Sequence, residues 1–91
     1  MKVINYKDYN FSMGTLFDLE EPATYKKKHL HGSINVPYEK MLSNYKKLLD
    51  KDKKHYFYCY KGVKSKKLIS ILEYYSYDVT QVKKWVIFIW K

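Results

Sequence analysis

Ninety-one residues, 46% hydrophobic and 30% charged, bound one globular core and exclude a disordered chain. All 18 basic residues are lysine against 9 acidic ones, so a formal charge of +9 offers point charges for anions but no bidentate fork. One cysteine excludes a disulfide scaffold and fits a reducing cytoplasm, the charged Met1 to Asn10 stretch does not read as a signal peptide, and the apolar run Trp85 to Trp90 is too short to cross a bilayer.

In chain order, Lys2 to Asn5 reads as a short strand, and Tyr6 to Met13 as a weak helix stopped by Gly14. Thr15 to Leu19 is a compact apolar run and reads as a buried strand. Pro22 suits the first turn of a helix running to about Lys28. Ser33 to Val36 predicts a third strand. From Pro37, the residues Met41, Tyr45, Leu48 and Leu49 recur at helical spacing between lysines. Asp50 to Lys54 is a charged turn, and His55 to Tyr58 an aromatic strand. Ser65 is then placed as the N-cap of a helix whose apolar face is Leu68, Ile69, Leu72 and Tyr75. Val79 to Val82 closes as a last strand, and Trp85 to Trp90 fits either a strand or a helix. Strands alternating with helices predict an α/β domain over residues 1–91, with a mainly parallel, five-stranded sheet covered by helices on both faces.

Chemistry concentrates at Cys59. The stretch Cys59-Tyr60-Lys61-Gly62-Val63-Lys64-Ser65 joins a strand's carboxyl end to a helix N-terminus, where α/β sheets bind ligands. Backbone N–H groups from Tyr60 to Ser65 can converge there as an anion nest, Gly62 supplies a positive φ, and Lys61 and Lys64 add charge. Such surroundings favour thiolate over thiol; the plain alternative is a buried packing cysteine.

A phosphatase loop would need an arginine at its far end, and Lys64 and Ser65 stand there instead. His29 and His31 have no second cluster of ligands, so no metal or cofactor is expected, and His29 reads as a structural hydrogen-bonding residue. Asp18, ending its strand, reads as a loop tether, and Glu21 as helix first-turn charge. Tyrosines interleaved with lysines can stack on single-stranded nucleic acid, but many fall at core-facing positions, so no specific nucleic-acid partner is expected.

Two stretches resemble the rhodanese-like (sulfurtransferase) family. Asp18-Leu19-Glu20-Glu21-Pro22 with His29-Leu30-His31-Gly32-Ser33-Ile34-Asn35-Val36-Pro37 resembles its first signature, and Cys59 to Ser65 its Cys-x-x-Gly-x-Arg-Ser active-site loop. The resemblance covers about Thr15 to Val82. It implies a three-layer fold and a cysteine that takes sulfur from thiosulfate or a small persulfide. Sulfur held as a Cys59 persulfide would pass to cyanide, a thiol or a protein acceptor. The loop Tyr60, Lys61, Gly62, Val63, Lys64 and Ser65 would cradle the anion, supported by Asp18 and His29. The six-residue loop matches sulfur chemistry; the family's phosphatase relatives have one residue more. Lys64 replaces the usual arginine, Glu20 another, and Lys28 a glycine. Lys83-Lys84-Trp85 stands where a Gly-Gly turn and tryptophan are usual, so residues 83–91 are atypical. These departures raise the alternative of a module that carries sulfur, or binds a protein, without turnover.

Overall fold

The computed structural model of the chain describes residues 1–84. Its strands are β1 (Lys2–Asn5), β2 (Thr15–Asp18), β3 (Ile34–Asn35), β4 (Lys54–Tyr58) and β5 (Asp78–Lys83). Its helices are α1 (Pro22–Lys27), α2 (Tyr38–Leu48) and α3 (Val63–Tyr74). The sheet order is β1-β5-β4-β2-β3, and every pairing among these strands is parallel.

Strand periodicity divides the core into two layers. Phe17, Leu19, Phe57, Cys59 and Val79 point to one face and pack with Met41 of α2 and Leu68, Ile69 and Leu72 of α3. Leu16, Tyr56, Tyr58 and Val82 point to the other, where Leu30, Tyr6 and Tyr9 pack against them. The central strands are therefore buried on both sides, as parallel strands between two layers must be. Phe57 is fully buried, and burial of such a side chain contributes about 1.5–3 kcal/mol.

Three local readings are corrected. Tyr6 to Met13 is not one helix but two 3₁₀ turns, Tyr6–Asp8 and Phe11–Met13. The side chains of Asn5 and Asn10 accept the N–H groups of Lys7 and Ser12, at 3.1 and 2.9 Å, and so start each turn separately. Ser65 is not the N-cap of α3. The left-handed Gly62 caps it, and Ser65 lies one turn inside, fully buried. Leu48 and Tyr75 are exposed rather than core-facing, and Tyr75 is the C-cap of α3. The run Trp85 to Trp90 lies outside the described residues.

Register brings the two signature segments together. Asp18 lies opposite Tyr58, so β2 and β4 end side by side and their following loops meet. Phe57 lies opposite Gln81, which sets β5 along the other flank of the Cys59 loop.

Candidate functional site

Cys59 is the first residue beyond β4 and belongs to the core face that carries α3. Cys59 is 7% exposed. Three residues later Gly62 takes φ +81°, a left-handed turn that strains any residue with a Cβ. That turn starts α3 at Val63 and points the helix N-terminus back at the thiol. The first N–H groups of a helix have no intrahelical acceptor. One of them, from Ser65, donates to Cys59 Sγ at 3.3 Å, so the sulfur itself caps the helix.

Ser65 is the second contact. Cys59 Sγ–H donates to Ser65 Oγ at 3.5 Å, and the Ser65 hydroxyl donates to the Gly62 carbonyl at 3.2 Å. Beneath both lies Gln81, 3% exposed, whose Nε2 donates to Ser65 Oγ at 2.8 Å and to Gly62 O at 3.0 Å. The sequence reading missed Gln81. The available signal was period two along β5, which places a polar side chain beside Val79 on the apolar, α3-covered face.

The predicted convergence of all loop N–H groups is only partly present. Tyr60 N–H turns away and donates to Glu20 Oε2 at 2.6 Å. Glu20 comes from the loop after β2, which Asp18 tethers. Asp18 is fully buried; its carboxylate accepts Glu20 N–H at 2.7 Å and the Tyr58 hydroxyl. Asn35 Nδ2 donates to the carbonyls of Asp18 and Glu20, at 3.1 and 2.7 Å. Burial pushes the Asp18 carboxyl up from its ordinary value, against the hydrogen bonds from Tyr58 and Glu20. Burial, then Asp18, pushes the Tyr58 phenol well above its ordinary range. Tyr58 thus keeps its proton and also accepts Leu30 N–H at 2.8 Å.

His29 is engaged with α1 rather than with the thiol. Its Nδ1 bonds the Tyr25 carbonyl at 2.6 Å and its ring stacks on Tyr25, which fastens the end of α1. The Tyr25 hydroxyl in turn donates to Ser33 O at 2.6 Å. His31 is exposed. Among the described residues no group of three His, Cys, Asp or Glu side chains could hold a metal, and no helix is long and apolar enough to cross a membrane.

The charges around Cys59 differ from those expected. Lys61 lines the cavity in front of the thiol, whereas Lys64 and Val63 are exposed and do not line it. The nearer second cation is Lys84, just past β5. Its Nζ donates to Tyr60 O at 3.1 Å and sits 4.7 Å from the centre of the Tyr60 ring, with Lys28 at 5.5 Å from that centre. Burial lowers the Lys84 ammonium from its ordinary value, while Cys59 pulls it back up. The cavity, lined by Cys59, Tyr60, Lys61, Gly62, Gln81 and Lys84 among others, has a volume of about 180 Å³. Clefts for drug-sized ligands run to roughly 300–1,000 Å³, so the space suits a small inorganic or thiol-sized molecule.

The family model of the rhodanese-like domain matches residues 4–86 of the chain. No curated protein matches it. Among solved structures, a rhodanese-related protein of Thermoplasma volcanium is 24% identical, with a TM-score of 0.83 over 98% of this chain and 90% of its own. Reduced CoADR-RHD of Bacillus anthracis is 24% identical, with a TM-score of 0.79 over 89% of this chain and 15% of its own. A rhodanese with anions from E. coli is 25% identical, with a TM-score of 0.66 over 77% of this chain and 85% of its own.

Proposed function

The chain belongs to the rhodanese-like domain family, and we propose that it is a sulfurtransferase that carries sulfur as a persulfide on Cys59. The observation that carries this reading is the placement of Cys59 Sγ as acceptor of the Ser65 N–H at the start of α3, in front of a small cavity lined by Lys61 and Lys84. A sulfur held there gains from carrying negative charge.

The Cys59 thiolate attacks the outer sulfur of thiosulfate. The S–S bond of the donor breaks, sulfite leaves with its electron pair, and Cys59–S–S⁻ remains. The terminal sulfur then yields to a nucleophile. Cyanide bonds to it, the Cys59–S bond to that sulfur breaks, and thiocyanate leaves with the thiolate restored. A small persulfide or a protein persulfide can replace thiosulfate, and a thiol can replace cyanide. The Ser65 N–H at the start of α3 and the two lysines would supply the stabilisation without a metal. The E. coli rhodanese, itself solved with anions, is consistent with an anionic donor. A single free cysteine suits a reducing compartment such as the cytoplasm.

One observation favours the narrower reading of a sulfur carrier without rapid thiosulfate turnover. Glu20 occupies the Tyr60 N–H and sets a carboxylate beside the loop. Lys64 adds no guanidinium to offset it. Thiocyanate release from protein, thiosulfate and cyanide separates the two: steady release supports turnover, and a single equivalent per protein supports the carrier. No thiocyanate from protein treated with either thiosulfate or a small persulfide contradicts both.

A further inference from the structure

We propose that Gln81 is a positioning residue for Cys59, holding the Gly62 carbonyl so that the Ser65 hydroxyl is released to donate to the sulfur. A carbonyl oxygen has two lone pairs, and a serine hydroxyl has one proton. Gly62 O already accepts Lys66 N–H at 3.2 Å, the first turn of α3. Gln81 Nε2 takes the second acceptor site at 3.0 Å, leaving the Ser65 hydroxyl, at 3.2 Å, as the third donor on that oxygen. When Cys59 has lost its proton, or bears a terminal persulfide sulfur, it needs donors and no longer gives one. Ser65 Oγ already lies 3.5 Å from Sγ and needs only to rotate its proton.

The second N–H of the Gln81 amide, on Ser65 Oγ at 2.8 Å, polarises the hydroxyl and strengthens its donation. Gly62 O can only accept, so the amide nitrogen of Gln81 is fixed on this side. Without Gln81 the Gly62 carbonyl has a vacant acceptor site and keeps the Ser65 proton. The charged groups facing Cys59 are Lys61 from the loop, Lys83 and Lys84 from the end of β5, and Glu20 through Tyr60 from the β2–α1 loop. None of these changes in the variants below.

This inference deepens the sulfur-carrier reading and rests on Cys59 as the reacting group. Its test contains no sulfur donor, so its failure and the failure of sulfur transfer are separate results. Alkylation of the Cys59 peptide by iodoacetamide is followed across pH in the full chain, in Gln81→Met, in Ser65→Ala and in the double variant. Gln81→Met is expected to slow alkylation about threefold to tenfold at neutral pH, with the gap narrowing as pH is raised. In the Ser65→Ala background Gln81→Met should add nothing. An unchanged rate at neutral pH, a gap constant across pH, or further slowing in the double variant overturns the proposal. Should Gln81→Met fail to fold, Gln81→Leu takes its place, alone and with Ser65→Ala, and the same outcomes decide.

Discussion

Cys59 shows how little of a proposed reactive residue's setting lies in its own side chain. Its neighbours Ser65, Gln81 and Glu20 come from a helix, a strand and a loop that are 6, 22 and 39 positions away in sequence. Ser65 and Gly62 were legible because they follow the cysteine directly. Gln81 was not, because only the register of β5 against β4 brings it under the loop. Glu20, which stands where the resemblance has an arginine, is in the structure the acceptor for Tyr60 N–H.

A second buried residue, His55, gives a pH test. Its Nε2 accepts Asp50 N–H at 3.3 Å, and the residue is buried. Burial lowers the imidazole from its ordinary value of 6.5, so the folded chain resists the proton that the unfolded chain accepts. Stability from the neutral ring is complete above that ordinary value and is lost as pH falls below it towards the folded-state value. Asp18 works with the opposite sign, because its raised folded-state value makes ionisation costly as pH rises. The urea midpoint should therefore drop on acidification from about pH 7.5 to about pH 5.5 more in wild type than in His55→Gln, which keeps an acceptor but no titrating ring. Equal pH dependence in the two would refute the assignment.

Among elements, the strands were the most readable part of the chain. Two-residue alternation in β2 and β4 and the aromatic run of β4 determine which face each side chain takes, and physical layering follows from it. Helix ends were less readable because competing caps lie close together. Ser65 has the residue type of an N-cap, but Gly62 alone accepts the left-handed turn that Cys59 and α3 require. The carboxyl end of α3 has the converse problem. Ser76 N–H donates to Glu73 O and Tyr77 N–H to Leu72 O, both at 3.0 Å, closing the helix with a left-handed residue where glycine is usual. Ser76 holds φ +69° without being glycine. Ser76→Gly should stabilise the fold by about 0.5–1 kcal/mol, relieving that strain at the expense of some unfolded-state entropy. Thermal unfolding checks this: a Tm at or below that of wild type would show that the turn is unstrained.

At the scale of the whole molecule, the α/β architecture and family were legible from two short signatures in the right order. The charge was legible in amount but not in placement. A surplus of nine positive charges raises the local concentration of anions everywhere on the surface. Its specific effect depends on Lys61 and Lys84, which flank the thiol, whereas the more obvious Lys64 faces solvent. The missing arginine removes a bidentate grip from the loop, and Lys84 restores a cation from the far side of the cavity. In the proposed reaction, that arrangement would serve capture of a small anionic sulfur donor, with the product sulfur on Cys59 in front of α3.

The most direct measurement of this account is the intact mass of the full chain after incubation with thiosulfate and, separately, with a small persulfide. The expected result is an increase of about 32 Da, one sulfur atom, reversed by cyanide or a thiol reductant and absent in Cys59→Ser. An unchanged mass with both donors, or the same gain in Cys59→Ser, would contradict it.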